Sequence, residues 1–317
     1  MADIIIAESV DLEPVERLKA RYTVHCDPEL WRKREALEGL IGEALAIIVR
    51  NACKVDAGLI ARAPRLRVIG RHGVGLDNID MAACAARGIA VCPATAANSV
   101  AVAEYAIAAA LMLLRGNGYF GTARILAGAW PRAELSAGHE AEAKVFGLIG
   151  LGSIGEITAR KALGLGMRPM AYSPSLPADH PVWQAVERVS LPDLLARADV
   201  VSIHCPLNER TRGLIGADAF AAMKPGAVLI NTARGGIVDE AALAEALRSG
   251  RLGGAALDVL GAEPIDAATR SLFAGLPNLL LTPHIAGSTV ESSRRVCAVT
   301  VDNLLRVLGE PATVTGV

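Results

Sequence analysis

One short run of glycines constrains the fold of this chain more than any other feature. Gly150, Gly152 and Gly155 form a G-x-G-x-x-G pattern. The apolar run Val145–Ile149 precedes it, and an Ala- and Leu-rich helical pattern over Glu156–Leu165 follows. The first glycine allows a tight turn, the second lets the backbone approach a pyrophosphate, and the third lets the helix pack on the strand. This strand–turn–helix context predicts a dinucleotide whose pyrophosphate lies at the amino end of the helix.

Strand and helix patterns alternate on both sides of this motif. Short apolar runs occur at Ile4–Ile6, Ala46–Val49, Val68–Gly70, Val200–Ile203, Ala227–Ile230, Gly254–Leu257 and Leu279–Leu281. Such alternation indicates an α/β fold with parallel sheets. A length of 317 residues favours two domains, and 52% hydrophobic residues exclude intrinsic disorder. The last helical pattern, about Val290 to Leu308, has no strand after it and is expected to return to the first domain.

Charge and cysteine content exclude several classes of protein. Lys and Arg number 32 against 33 Asp and Glu, which argues against nucleic acid or an anionic membrane as partner. The apolar stretch Val100–Leu114 carries Glu104 and is too short to span a bilayer, and no signal peptide is recognisable. The six cysteines form no C-x-x-C pair and no zinc-type spacing, so we expect no metal site and a cytoplasmic location.

The position that selects between NAD and NADP is unusual. After the strand pattern Pro169–Tyr172, NAD enzymes carry an acidic residue that binds the ribose hydroxyls. This chain has Ser173 there, the nearest acid is Asp179, and no Arg or Lys follows to bind a 2′-phosphate. We therefore expect Ser173 or the backbone to hold the ribose, with NAD as cofactor and NADP also possible.

Several ordered segments resemble one family over nearly the whole chain. They are residues 71–80, 98–104, 230–240, 256–259, 263–264 and 282–287. Together with residues 145–165 they resemble the D-isomer-specific 2-hydroxyacid dehydrogenases, in the phosphoglycerate dehydrogenase branch. Residues 92–98 and 127–132 look closest to a short subgroup that includes sulfolactate dehydrogenases.

The resemblance implies a domain organisation. It predicts two Rossmann-like domains with parallel sheets and a cleft between them. Residues 1–97 plus 287–317 would form the substrate-binding domain, and residues 98–286 the NAD(P)-binding Rossmann domain. The family is usually homodimeric through its cofactor domains. Phosphoglycerate dehydrogenases often carry a further regulatory domain, which we do not expect here.

The resemblance also implies an activity, the transfer of a hydride between a nicotinamide cofactor and a small 2-hydroxy or 2-oxo acid. Its catalytic residues fall on Arg234, Glu263 and His284. Their chemistry suits this reaction, because histidine accepts a hydroxyl proton near pH 7 and a carboxylate beside it fixes its tautomer. An arginine fork would bind the substrate carboxylate and the developing charge on oxygen.

Further positions are carried over to the cofactor and the substrate. The cofactor-binding residues implied are Gly150, Gly152, Ser153, Ile154, Gly155, Ser173, Cys205, Pro206, Thr232, Ala233, Asp258 and Gly287. The substrate-binding residues implied are Arg50, Arg71, Gly73, Val74 and Gly75, with the glycine loop offering N–H groups to a carboxylate. Two arginines at strand ends suggest a substrate with a second anionic group, although Arg71 could instead brace the loop. His204 is expected to serve packing.

The substrate stays open among sulfopyruvate, 3-phosphohydroxypyruvate, hydroxypyruvate and glyoxylate. A formate dehydrogenase-like enzyme is one alternative, but that group pairs its histidine with glutamine, whereas this chain has Glu263. A dinucleotide-sensing corepressor-like binding protein is another, and turnover of a 2-oxo acid would separate it from an enzyme.

Overall fold

The structure, a computed structural model, describes residues 2–309. The chain divides into two compact units, one made of the chain up to Asn98 together with the chain from Ser288 onward, the other of Ser99–Gly287. The limits differ from the expected ones by one residue at each junction. Asn98 was expected in the cofactor domain but belongs to the first unit, and Gly287 was expected in the substrate domain but belongs to the second. That the first unit binds substrate and the second binds cofactor stays a prediction.

The first unit is built on a parallel sheet. Its described residues form five strands: β1 (Ile4–Ile6), β2 (Val24–Cys26), β3 (Ala46–Val49), β4 (Val68–Arg71) and β5 (Ala90–Pro93). The order is β2-β1-β3-β4-β5, and all neighbours are parallel. β1, β3 and β4 are buried along their length because helices cover both faces, which explains their unbroken apolar runs. β2 and β5 were not predicted from the sequence, because they are only partly buried and lack such runs.

The second unit contains a longer parallel sheet. Among the described residues its seven strands are β6 (Val145–Ile149), β7 (Arg168–Tyr172), β8 (Glu187–Arg188), β9 (Val200–Ile203), β10 (Val228–Asn231), β11 (Gly254–Leu257) and β12 (Leu279–Leu281). They are ordered β12-β11-β10-β9-β6-β7-β8, and each neighbouring pair is parallel.

Helices connect the strands of each unit, and all except the two short ones at Thr122–Leu126 and Arg132–Leu135 have buried residues. They are α1 (Leu12–Lys19), α2 (Arg34–Leu40), α3 (Ala57–Ala61), α4 (Met81–Ala86), α5 (Ser99–Leu114), α6 (Thr122–Leu126), α7 (Arg132–Leu135), α8 (Ser153–Gly164), α9 (Leu191–Arg197), α10 (Ala217–Ala222), α11 (Glu240–Arg248), α12 (Ala267–Phe273) and α13 (Val290–Leu308). Short 3₁₀ turns occur at Leu30–Arg32, Ile41–Glu43, Gly116–Phe120 and Pro181–Gln184. Several helices begin at a side-chain N-cap, as Asp11 does for α1 by accepting the N–H of Glu13.

The long helix α13 belongs to the first unit. Cys297, Val301 and Leu304 on this helix share an apolar cluster with Ile4 and Ile6 of β1. A Cβ atom at Gly70 in β4 would overlap Leu304, so the absence of a side chain there permits the close approach of the helix. The expectation that the last helix returns to the first domain is confirmed.

The strand order of each sheet reverses once. In the first unit the reversal lies between β1 and β3, and in the second it lies between β6 and β9. Open parallel sheets bind ligands beyond the carboxyl ends of the strands at such a reversal. Two Rossmann-like parallel-sheet domains were predicted from the sequence, and this fold class is confirmed.

Candidate active site

His284 and Glu263 form a hydrogen-bonded pair in the second unit. His284 follows β12, and its Nδ1 atom lies 2.8 Å from Oε2 of Glu263. The other carboxylate oxygen of Glu263 accepts the N–H of Leu260 at 3.0 Å, so the carboxylate is fixed from two sides. The side chains of His284 and Glu263 are 40% and 35% exposed, which leaves the imidazole accessible to a ligand. The fold therefore brings together Glu263 and His284, two of the three residues expected to be catalytic, although they are 21 positions apart in sequence.

Asp258 holds the segment that carries His284. This buried carboxylate follows β11 and accepts hydrogen bonds from Thr282 Oγ1 at 2.6 Å and from the N–H groups of Ile285 and Ala286, both at 2.8 Å. The Asp258 carbonyl accepts the N–H of His284, which has a left-handed backbone with φ of 56°. From the sequence, Asp258 was expected to bind the cofactor. That contact stays a prediction, whereas the bonds to the histidine segment are present.

Arg234 lies on the turn after β10, the strand next to β11. The buried side chain of Asn231 fixes this turn by accepting the N–H of Ala233 at 3.0 Å and donating to the carbonyl of Arg234 at 2.9 Å. Arg234 Nη1 donates to the Ala233 carbonyl at 2.7 Å. At Gly235, a Cβ atom would overlap the Leu260 carbonyl, so the turn lies directly against the segment that leads to Glu263. The three expected catalytic residues thus follow neighbouring strands at one edge of the sheet.

The glycine turn has the geometry that a dinucleotide requires. Gly150 has φ of 96°, and a Cβ there would lie 2.9 Å from the carbonyl of His204. A Cβ at Gly155 would lie 2.6 Å from the carbonyl oxygen of Gly150, which shows the close packing of α8 on the turn. At Gly152 a Cβ would meet nothing within 4 Å, so the backbone there faces open space. Since α8 begins at Ser153 without a side-chain cap, its first N–H groups, including that of Ile154, are available to an anion.

Other residues expected near the cofactor surround this turn. Ser173 follows β7, is buried, and its Oγ accepts the N–H of Leu151 at 3.2 Å. Cys205 follows β9, and its N–H lies 2.9 Å from the position of a Cβ on Gly150, with Pro206 next in the chain. Thr232, before Ala233, has a buried Oγ1 without a hydrogen-bond partner among residues 2–309. Gly287 ends the unit, directly after the segment held by Asp258.

His204 lies beside the turn and is partly buried. Its Nε2 lies 2.9 Å from Ser202 Oγ. Burial lowers the pKa of His204 to about 4, so the imidazole is neutral near pH 7. A neutral histidine in this position suits packing better than proton transfer, which is the role expected from the sequence.

The expected substrate residues lie in the first unit at the ends of β3 and β4. Arg71 is largely buried; its Nε donates to the Gly75 carbonyl and its Nη1 to the His72 carbonyl, both at 2.6 Å. Gly73 has φ of 139°, and a Cβ there would lie 2.5 Å from Arg71 Nη1, while the neighbouring Val74 is exposed. These contacts favour the alternative that Arg71 braces the glycine loop.

Arg50 differs from Arg71 because its backbone, not its guanidinium, is tightly held. The buried carboxylate of Glu8 accepts the N–H groups of Arg50 at 2.7 Å, Cys53 at 3.0 Å and Ala52 at 3.1 Å. Asn78 Nδ2 donates to the carbonyl of Arg50 at 2.9 Å. Glu8 was not predicted from the sequence, because an acidic residue after a strand carries no signal that it is buried.

No group of three or more His, Cys, Asp or Glu residues in 2–309 could hold a metal ion. Among the same residues, no helix combines the length and the apolar character that crossing a membrane requires.

Comparison with known proteins decides the family. Residues 107–286 match the family model described as "D-isomer specific 2-hydroxyacid dehydrogenase, NAD binding domain". Over 310 residues the chain is 50% identical to an (S)-sulfolactate dehydrogenase of Chromohalobacter salexigens, which covers 98% of this chain and 99% of that protein.

The chain belongs to the D-isomer-specific 2-hydroxyacid dehydrogenase family. It is an NAD-dependent oxidoreductase of 2-hydroxy acids, so the family, the enzyme class and the cofactor predicted from the sequence are confirmed.

Two further similarities extend this result. A D-3-phosphoglycerate dehydrogenase of Mycobacterium leprae is 41% identical over 262 residues, which are 83% of this chain and 49% of that protein. The chain thus spans about half the length of that relative. The crystal structure of the TT0316 protein from Thermus thermophilus superposes with a TM-score of 0.87 at 34% identity and covers 98% of each chain.

Proposed function

We propose that this 2-hydroxyacid dehydrogenase uses His284 as the proton acceptor in alcohol oxidation and as the proton donor in the reverse reaction. The observation that carries the proposal is the 2.8 Å contact between His284 Nδ1 and Glu263 Oε2. With Nδ1–H donating to the carboxylate, the lone pair of Nε2 is left for the substrate hydroxyl. When bound, NAD would accept the hydride released from C2 of the substrate. The hydroxyl proton goes to His284, and the 2-oxo acid is the product.

Glu263 stabilises the protonated form of His284 and keeps its ring oriented. Since Leu260 N–H fixes one carboxylate oxygen, the other is held toward His284 without the loss of rotamer freedom that a free side chain would suffer. The pair also supports a hydroxy acid over formate as substrate, because formate has no hydroxyl proton to transfer.

Arg234 would bind the substrate carboxylate and the oxygen on which charge develops. It is held on a turn fixed by Asn231, so its backbone is ordered before the substrate binds. The open backbone at Gly152 and the start of α8 would hold the pyrophosphate, and the unpartnered Oγ1 of Thr232 would gain a hydrogen bond from the cofactor. The N–H groups of Gly73, Val74 and Gly75 are proposed to bind a substrate carboxylate.

The substrate is proposed to carry a second anionic group. The relative at 50% identity is named (S)-sulfolactate dehydrogenase, which supports a sulfonated three-carbon acid ahead of glyoxylate. The test is a reduction assay with NADH and with NADPH against sulfopyruvate, 3-phosphohydroxypyruvate, hydroxypyruvate and glyoxylate. We expect sulfopyruvate to give the highest kcat/KM, and the absence of turnover with every 2-oxo acid would refute the proposal.

A homodimer is proposed as the functional assembly. The segment that contains α6 exposes large apolar side chains: Tyr119 at 60%, Ile125 at 45%, Leu126 at 83% and Trp130 at 79%. Such a cluster is unusual on a monomer and supports a covered surface. The cysteines are all free thiols, which supports the cytoplasm, a reducing compartment, as the proposed location.

A further inference from the structure

Three side chains from three different segments of the second unit form a chain of hydrogen bonds. Tyr105 lies on α5, Thr282 follows β12, and Asp258 follows β11. The hydroxyl oxygen of Tyr105 lies 2.7 Å from Oγ1 of Thr282, which donates to Oδ1 of Asp258 at 2.6 Å. The mechanism proposed above gives no role to Tyr105 or Thr282. Yet their bonds connect a packed helix to the segment that carries the proposed proton acceptor.

The direction of these bonds follows from the number of protons available. The carboxylate of Asp258 acts as an acceptor, so the single hydroxyl proton of Thr282 is used on it. The hydroxyl of Tyr105 must therefore donate to Thr282. Burial raises the pKa of Tyr105; the bond to Thr282 opposes this shift, and the charge of Asp258 adds to it. The phenol consequently keeps its proton, and remains a donor, at neutral pH.

The chain of bonds ends on a backbone segment that needs support. His284 has a left-handed backbone with φ of 56°, a conformation that is strained for a residue with a Cβ atom. The N–H groups of Ile285 and Ala286 donate to the Asp258 carboxylate, both at 2.8 Å, and the N–H of His284 donates to the Asp258 carbonyl, also at 2.8 Å. Asp258 thus holds the chain after His284 through its N–H groups and the chain before it through Thr282.

Tyr105 ties this network to the interior of the unit. Its ring packs against the apolar cluster that includes Phe146 and Ile230, so the core sets the position of its hydroxyl. Without the phenol, the hydroxyl of Thr282 would lose its donor and could rotate away from Asp258. Hydrogen bonds in a chain polarise one another, so the bond to the carboxylate would also weaken.

We propose that Tyr105 is a positioning residue: through Thr282 and Asp258 it fixes the left-handed backbone of His284, and with it the place of the imidazole. Proton transfer requires a heavy-atom distance of about 2.6–3.2 Å, so a small displacement of the imidazole slows the reaction. Tyr105 is assigned no contact with substrate or cofactor. The kinetic consequence rests on the proposed role of His284, but the network itself can be measured without turnover.

Hydrogen exchange of backbone amides, followed by NMR on the full chain, measures the network directly. Tyr105→Phe removes the hydroxyl and keeps the ring. We expect the amides of Ile285 and Ala286 to exchange about 3- to 10-fold faster in this variant, the effect of one neutral hydrogen bond on local opening.

Two controls show that the effect is local. The amide of Ile215 donates to the carbonyl of Ile237 at 3.1 Å in the same unit, and its exchange should stay unchanged in Tyr105→Phe. Tyr22→Phe makes the same chemical change in the first unit, where the ring of Tyr22 packs against the apolar cluster of that unit. This variant should leave the exchange of Ile285 and the rate of turnover unchanged.

The kinetic measurement is the single-turnover rate of oxidation with NAD, for the 2-hydroxy acid that corresponds to the best 2-oxo acid substrate. Single turnovers are used because slow product release would hide a change in the chemical step. Tyr105→Phe should lower this rate about 3- to 10-fold. The half-saturating concentration of the acid should change by less than about 2-fold, because the groups proposed to bind its carboxylate, Arg234 and the backbone of residues 73–75, are unaltered.

Variants at Thr282 distinguish a chain of bonds from simple packing. Thr282→Val keeps the shape but removes the donor to a charged group, so it should slow oxidation about 10- to 100-fold. Thr282→Ser keeps the hydroxyl and should stay within about 3-fold of the wild type. Tyr105→Phe should add no further loss to Thr282→Val, since the phenol acts only through this hydroxyl. A tyrosine needed merely for packing would lower the rate by the same factor in both backgrounds.

The outcomes separate this inference from the proposed function. Unchanged exchange at Ile285 and Ala286 in Tyr105→Phe, losses that multiply with those of Thr282→Val, or faster exchange with a wild-type rate of oxidation would each overturn the inference, even if His284→Ala is inactive. Faster exchange in Tyr105→Phe together with near wild-type turnover in a folded His284→Ala protein would instead uphold the network and reject the proposed function.

Discussion

The hydrogen bond between His284 and Glu263 can be tested by changing the partner alone. Glu263→Gln keeps the shape of the side chain and can still accept the N–H of Leu260, but it removes the charge that faces Nδ1. The amide NH₂ would then donate to Nδ1, which places the imidazole proton on Nε2, the atom needed as proton acceptor.

The size of the loss follows from the exposure of the pair. A hydrogen bond to a charged group contributes about 1.5–3 kcal/mol, which corresponds to roughly 10- to 150-fold in rate. Because the two side chains are 40% and 35% exposed, water screens the interaction and lets the imidazole exchange between its tautomers, so we expect kcat to fall only about 10- to 30-fold. His284→Ala removes the proton acceptor itself and should lower kcat by about 10²–10⁴-fold.

A double-mutant cycle gives the decisive measurement. If Glu263 acts through His284, adding Glu263→Gln to His284→Ala should cause no further loss of kcat for oxidation of the 2-hydroxy acid that corresponds to the best 2-oxo acid substrate. Glu104→Gln is the matched control, since this carboxylate pairs with Lys161 at 2.9 Å and contacts neither residue. Circular dichroism should show all variants folded. Additive losses, or near wild-type turnover in a folded His284→Ala protein, would refute the assignment of the pair.

Three other expectations concern the cofactor and the assembly. Ser173→Asp should lower kcat/KM for NADPH by repelling the 2′-phosphate, while kcat/KM for NADH stays unchanged. If the wild type already rejects NADPH by several orders of magnitude, Ser173 is not the residue that selects between the two cofactors. Gly152→Ala adds a Cβ with nothing within 4 Å, so it should keep the wild-type Tm but weaken NAD binding measured by calorimetry. Gly155→Ala adds a Cβ that lies 2.6 Å from the carbonyl oxygen of Gly150, so it should lower the free energy of unfolding by about 1–3 kcal/mol. Equal Tm values for the two variants would contradict this prediction. Leu126→Asp should convert a dimer to a monomer in light scattering, and an unchanged mass would place the interface elsewhere.

The class of fold and the cofactor turn were predictable from the sequence alone, and so was the choice of candidate catalytic residues. The conformation of the cofactor turn depends on residues close together in the chain, so the spacing of Gly150, Gly152 and Gly155 is enough to predict it. Buried strands such as β1 and β6 read as unbroken apolar runs, because both of their faces are covered. The short partly buried strand β2 lacked that signal.

The contacts of those residues, in contrast, could be seen only in the folded chain. Arg50 and Arg71 look alike in sequence, yet the guanidinium of Arg71 is bonded to its own loop and that of Arg50 lines a pocket. Glu8 and Asp258 are acids at strand ends whose roles depend on backbone N–H groups about 42 to 45 and 27 to 28 positions further along the chain. No local pattern encodes such partners, because parallel strands bring distant segments to the same edge of a sheet only after the whole unit has folded.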